Sequence, residues 1–186
     1  MAAGDRERWD RTWSSGGHAD SQAPEWLEEH DAQLPRGGRA LDVAAGAGRV
    51  ALWWAARGLE SLAVDVSPVA LRLVREAAER AGLRLATREL DLERESLPDG
   101  PFAAISVFHY LQRDLFPRLC ETLAPGGVLV CEIATVRNLE RNPKPSARFL
   151  LQPAELRDLC AGLELVSYSE EWRSGRFVAR ALARRV

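Results

Sequence analysis

Short apolar runs alternate with stretches of helical periodicity along most of this chain, and glycine or proline stands between nearly every pair. Residues 39–43 predict a strand, and residues 48–57 a helix that stops near Gly58. Residues 61–65 predict a second strand. Ser67 is placed to cap the next helix and Pro68 suits its first turn. Ala70, Leu73, Val74, Ala77 and Ala81 then draw a stripe at helical spacing before Gly82. Residues 83–89 predict a third strand. The almost unbroken apolar runs at 102–108 and 128–134 suit central strands buried on both faces. Between them, residues 111–123 predict a helix that ends before Pro125-Gly126-Gly127. A polar loop at 136–150 carries Pro143 and Pro145, and a helix over 153–161 stops at Gly162. The runs 164–169 and 176–183, joined by a turn at Ser174-Gly175, read as an antiparallel hairpin. Near the start, residues 24–33 predict a helix closed by Pro35 and Gly37-Gly38.

Strands alternating with helices predict an α/β fold. The expected architecture is a Rossmann-like, doubly wound, seven-stranded sheet, mostly parallel with a C-terminal antiparallel hairpin strand. No linker or repeat divides residues 24–186, which read as one domain. Residues 1–23 are polar, but tryptophans are costly to leave in water, so Trp9 and Trp13 predict that part of this segment packs on something. It is a candidate lid over a site; packing on a sheet edge is the alternative.

Composition narrows the classes. The chain has 186 residues, 46% hydrophobic and 28% charged, with a net charge of −2, which fits a globular domain without a nucleic-acid footprint. Cys120, Cys131 and Cys160 sit in apolar runs without a Cys-x-x-Cys pair, and His18, His30 and His109 lack ligand spacing. Buried thiols, no metal, no membrane span and a cytoplasmic location are the expectations. Basic residues are arginine except for Lys144.

The chemistry gathers at Asp42 and the turn Gly46-Ala47-Gly48, where a strand meets a helix. Such a turn lets backbone N–H groups approach a ligand, and Asp65 closes the next strand, so a nucleoside is the expected ligand. Residues 46–51 also match the G-x-G-x-x-A variant of the dinucleotide fingerprint, which keeps a nicotinamide cofactor open. Against it, little chain remains for a second catalytic half. A Tyr-x-x-x-Lys pair is ruled out because Lys144 has no tyrosine at that spacing.

An acidic residue late in the first strand followed by Gly-x-Gly, with Pro-Gly-Gly before the fifth strand, resembles the class I S-adenosylmethionine-dependent methyltransferases. Ala44 stands where that family often has a further glycine. The resemblance implies that Asp42 helps hold the methionine amino group and that Ala44, Gly46 and Gly48 line the cofactor. It implies that Asp65, with Val66 beside it, takes the ribose hydroxyls, and that Asp91 and Leu92 meet adenine. The segment 108–113 is where the family places contacts to cofactor and substrate: Phe108 and Arg113 for the cofactor, His109 and Tyr110 as catalytic candidates. Arg141 and Arg148, with Arg137, are candidates to bind an anionic acceptor. More narrowly, residues 41–49, 91–92, 149–151, 155–157, 168–170 and 176–177 are similar to the small tellurite-resistance-type methyltransferases. The closing hairpin departs from that subgroup, shrinking to Glu171-Trp172-Arg173-Ser174-Gly175.

The expected function is methyl transfer from S-adenosylmethionine to a small-molecule acceptor at sulfur, oxygen or another chalcogen, by direct displacement. Residues 106–110 lack the Asp/Asn-Pro-Pro-aromatic turn of adenine-amine methyltransferases, and no cysteine stands there for cytosine-carbon chemistry. A cofactor-binding sensor or partner domain without catalysis is the non-enzyme alternative. An NADP-dependent oxidoreductase is the other enzyme class.

Overall fold

The first turn of the sheet and its last hairpin are set by the same rule: strands with apolar residues on both faces must be covered on both. The computed structural model describes residues 3–15 and 24–186. Seven strands form one sheet in the order β3-β2-β1-β4-β5-β7-β6. They are β1 (Arg39–Val43), β2 (Glu60–Asp65), β3 (Leu85–Glu89), β4 (Phe102–Phe108), β5 (Leu123–Ala134), β6 (Glu164–Arg173) and β7 (Arg176–Arg184). β1 to β5 run parallel, and β7 lies antiparallel to both β5 and β6. This is the doubly wound, seven-stranded sheet expected from the sequence. β1 and β4 are neighbours, so the chain winds away from them in opposite directions and leaves a crevice at their carboxyl ends.

Six α-helices are described: α1 (Ala3–Ser14), α2 (Glu25–Glu29), α3 (Arg49–Ala56), α4 (Pro68–Ala81), α5 (Phe116–Thr122) and α6 (Glu155–Leu159). The strand period of two separates the faces. Leu41, Val43, Ile105, Val107, Leu129, Cys131 and Ile133 pack with Phe116 and Leu119 of α5 and Leu156 of α6. Ala40, Ala104, Phe108, Val128 and Val130 turn the other way, onto Trp26 of α2 and Val50 and Trp54 of α3. α4 joins that second face through Leu71 and Val74 against Ala51 and Ala63. Its cap is the one the sequence marks: the Ser67 hydroxyl accepts the Ala70 N–H at 3.1 Å.

Several boundaries differ from the sequence expectation. The first predicted helix shrinks to α2 and a 3-10 turn, Asp31–Gln33, because the Asp31 carboxylate is drawn into pairs with Arg36 and Arg57. α5 begins only at Phe116, where Pro117 fits the first turn. β5 begins five residues earlier than its apolar run, at Leu123, which pairs with Phe102. The register then slips across 124–127 before Val128 meets Ala104. Gly127 is required in that bulge, since a Cβ there would lie 2.7 Å from the Phe102 carbonyl. The N-terminal segment holds a helix, α1, which its polar composition did not announce; residues 1–2 and 16–23 lie outside the described residues. Among the described residues, no helix is long and apolar enough to cross a membrane.

Gly48 has φ +78°, and a Cβ on it would meet the Val74 side chain at 2.6 Å. Its missing side chain is what lets α4 close on the start of α3. Gly48→Ala should lower the unfolding free energy by about 2–3 kcal/mol, through backbone strain plus overpacking. Urea titration checks this, and a loss under about 0.5 kcal/mol would show that the two helices do not need that approach.

Candidate functional site

The crevice is built from three consecutive strand ends. After β1 the chain turns sharply: Ala44 has φ +54°, Gly46 +53° and Gly48 +78°. Ala44 therefore adopts the left-handed conformation a glycine would take more cheaply, at the position noted from sequence. The Ala45 N–H donates to the Val64 carbonyl at 3.0 Å, which ties the turn to β2.

Two buried carboxylates hold this turn. Asp65, at the end of β2, accepts the Gly46 N–H at 2.8 Å on Oδ2 and the Ser67 N–H at 2.9 Å on Oδ1. It thus clamps the glycine turn to the entrance of α4. The Val66 N–H also acts on this carboxylate, which as a four-acceptor group keeps capacity for a further donor. Asp42 accepts the Ala51 N–H at 3.0 Å on Oδ2 and the Ser106 hydroxyl at 2.7 Å on Oδ1. Ser106 in turn accepts the Trp54 indole N–H at 3.2 Å. Burial pushes the Asp42 carboxyl up to about 7, against the lowering effect of the Ser106 and Ala51 hydrogen bonds. Burial also raises Asp65, while the Ser67 and Gly46 N–H groups pull it down.

Beyond β3, Asp91 forms its own turn. Its Oδ1 accepts the Glu93 N–H, and its N–H donates to Glu95 Oε1. Leu92 is buried beside it in the core, and Val66 is half-buried next to Asp65. Asp42, Asp65 and Asp91, with Ala44, Gly46, Gly48, Val66 and Leu92, therefore all stand at the carboxyl ends of β1, β2 and β3 or in the turns that follow them. The arrangement sets carboxylate oxygens at three neighbouring strand ends, where hydroxyl and amine donors could be accepted.

α1 covers this edge. The Trp13 ring lies against Gly46, 2.6 Å from where a Cβ would stand. The Ser67 hydroxyl donates to Asp10 at 2.5 Å, and Arg6 pairs with Glu89 at 2.9 Å. Three strand ends are thus spanned by one short helix.

The residues after β4 separate into different environments. Phe108 is buried on the α2 and α3 face. His109 follows it with φ +57°, and its N–H donates to the Glu132 carbonyl at 2.8 Å. The Tyr110 hydroxyl donates to Gln112 Oε1 at 2.6 Å, and burial pushes its pKa well up. Gln112 then donates to the Leu92 carbonyl at 3.1 Å, so this tyrosine is tied into the wall beside β3. Arg113 holds the far loop instead of facing the glycine turn. It pairs with Glu155 and donates to the carbonyls of Arg148 and Leu150 at 3.2 and 3.1 Å. That pairing also holds the Glu155 carboxyl below its usual range.

Arg141 and Arg148 are exposed on the segment after β5. The Arg141 guanidinium stacks 4.0 Å over Trp172, and Arg148 4.3 Å over Phe149. Arg137 stacks 4.2 Å over Phe177 and pairs with Glu140 at 3.0 Å. The sequence reading passed over Glu132 and Arg180, which are paired at 2.7 Å on β5 and β7. A single acid inside the apolar run 128–134 was the available signal.

A protein-family model described as a methyltransferase domain matches residues 40–127, from β1 through the Pro-Gly-Gly bulge. The ribosomal protein L11 methyltransferase of Symbiobacterium thermophilum is 32% identical over 105 residues, covering 55% of this chain and 33% of that protein. The chain thus matches about a third of the length of that relative. Among solved structures, TehB from Haemophilus influenzae aligns over 96% of this chain and 67% of its own, with 18% identity and a TM-score of 0.75. A structure described as converting a disulfide bond into a thioacetal group during echinomycin biosynthesis aligns over 97% of this chain and 92% of its own. Its identity is 20% and its TM-score 0.75. At these identities the structures speak for the fold.

Asp42 makes stability depend on pH in a checkable direction. Its carboxyl has an ordinary value of 3.8 and about 7 when folded, so the native state binds the extra proton between those values. Stability should therefore fall as pH rises from about 4 to about 7 and be flat for this group above. Urea midpoints of the wild type, taken relative to Asp42→Asn, should decline across that window. Parallel profiles would mean that Asp42 ionises as freely in the folded chain as in the unfolded one.

Proposed function

We propose that this chain, whose residues 40–127 match a methyltransferase-domain model, is a class I S-adenosylmethionine-dependent methyltransferase that methylates a small-molecule acceptor at sulfur, oxygen or another chalcogen. The observation that carries this reading is the set of acidic residues at three successive strand ends around one glycine turn. S-adenosylmethionine, when bound, supplies a methyl group on a sulfonium sulfur, open to direct displacement. Asp65 would take its ribose hydroxyls, Asp91 its adenine amine, and Asp42 would face its amino group.

What this chain contributes besides binding is orientation and exclusion of water. A nucleophile meeting a cationic donor loses charge toward the transition state, so an enclosed apolar site favours reaction. Tyr110, tied into the wall beside β3, offers an apolar ring to the site, and α1 covers its edge. The net charge of −2 speaks against nucleic acid as the acceptor. Arg141 and Arg148 favour an anionic small molecule: a guanidinium stacked on a ring keeps its N–H edge available for an acceptor oxygen. The sulfur chemistry in the description of the echinomycin-pathway structure supports sulfur as one acceptor atom.

Calorimetry with S-adenosylhomocysteine and with NADP tests the cofactor. The sulfur nucleoside should bind and NADP should not; the reverse result would return the dinucleotide reading. Asp65→Ala should weaken nucleoside binding by about 1–3 kcal/mol, because buried hydrogen bonds to hydroxyls are lost. On a panel of thiols, phenols, carboxylates and chalcogen oxyanions, Arg141→Ala should raise KM for anionic acceptors about tenfold and leave neutral ones unchanged. Binding without turnover on any acceptor would favour a sensor or partner domain.

A further inference from the structure

One line of hydrogen bonds joins the loop after β4 to the turn after β3. Tyr110 packs its ring on the core cluster that contains Leu90 and Leu92. Its hydroxyl donates to Gln112 Oε1 at 2.6 Å, and Gln112 Nε2 donates to the Leu92 carbonyl at 3.1 Å. That carbonyl belongs to the peptide between Leu92 and Glu93. The N–H of the same peptide donates to Asp91 Oδ1 at 3.1 Å. The Asp91 N–H donates to Glu95 Oε1 at 3.0 Å, so the turn around this carboxylate is held on both sides. Oδ2 has Arg94 Nε at 3.6 Å, a pair of modest strength because the arginine side chain is 67% exposed.

The direction of this line is fixed by chemistry. A carbonyl only accepts, so the amide nitrogen of Gln112 must face Leu92 and its oxygen must face Tyr110. That oxygen also only accepts, which commits the single phenolic proton to it. Burial, with the charges of Asp91, Asp114 and Asp65, pushes the Tyr110 hydroxyl well up and keeps the proton in place. Every donor therefore points toward Asp91, and successive bonds of one sense polarise one another. Core packing needs only the Tyr110 ring. It does not need a series of donors that ends on a partly exposed carboxylate at a strand end.

We propose that Gln112, oriented by Tyr110, is a positioning residue for Asp91, and that through it the β4 loop makes the crevice select a purine with an exocyclic amine over one with a carbonyl at the same place. This rests on the cofactor reading above, in which Asp91 takes the adenine amine. A carboxylate fixed by the Glu93 N–H presents acceptor lone pairs only. An amine brings donors to meet them. A carbonyl brings a second acceptor and leaves both groups unpaired. Tyr110 then serves selection of the cofactor, its proton held inside the wall.

Calorimetry with S-adenosylhomocysteine and S-inosylhomocysteine, which carry an amine and a carbonyl at the same ring carbon, tests this. The wild type should bind the adenine compound about tenfold more tightly or better, and a ratio near one overturns the proposal without any variant. Gln112→Met keeps the length of the side chain and loses both bonds. It should cut the ratio about tenfold, by weakening the adenine compound alone. Tyr110→Phe removes one hydroxyl and should cut the ratio about threefold. Equal losses for both compounds, as a purely structural role would give, or an unmoved ratio in variants that melt like the wild type, overturn the proposal. Should Gln112→Met not fold, Tyr110→Phe and the wild-type ratio decide. A wild type that binds neither compound sinks the cofactor reading and this assignment with it; tight adenine binding with an unmoved ratio sinks the assignment alone.

Discussion

Backbone N–H groups at the start of a turn have no partner within it, and this chain answers that need with two buried carboxylates. Asp65 takes N–H groups from both the β1–α3 and β2–α4 turns, and Asp42 takes one from the first turn of α3. Everything around the crevice follows from that constraint. The turns must bend back toward the strands, Ala44 must accept a left-handed backbone, and Gly48 must be bare so that α4 can close. Burial of the two acids is unfavourable for their charge, as the raised Asp42 and Asp65 carboxyls show. Such an arrangement persists where a ligand with positive charge and hydroxyl groups can use what remains unfilled.

Much of this was legible because it is local. The strand–acid–glycine order fixes a turn within ten residues, and Ser67-Pro68 marks the start of α4 with a cap and a proline whose geometry is set by neighbours in sequence. The doubly wound, mostly parallel sheet follows from the alternation of strands and helices, since parallel neighbours need crossover connections. What could not be read depends on partners far along the chain. Arg113 looks like a ligand-facing cation until Glu155 and the carbonyls of 148 and 150 are seen to consume its donors. Glu132 breaks an apolar run, but only the register of β5 against β7 brings Arg180 opposite it. α1 has too few apolar residues to show a stripe, and Trp13 gains its meaning from the glycine turn it meets.

The charged groups fall into two kinds. The arginines stacked on Trp172, Phe149 and Phe177 keep their charge at any physiological pH. The Asp42 carboxyl, raised to about 7 by burial, does not. The stacked arginines stand on the segment after β5, and Asp42 stands on β1.

The Trp13 ring on Gly46 has a kinetic meaning. A ligand that seats over the glycine turn must exchange with the ring, because both cannot lie against the same backbone. α1 is fastened there by an Asp10–Ser67 hydrogen bond and an exposed Arg6–Glu89 pair, contacts of modest strength. Entry on this arrangement would have two stages, release of the helix and capture of the ligand. The gatekeeper of the crevice is a helix that contributes no strand to the sheet beneath it.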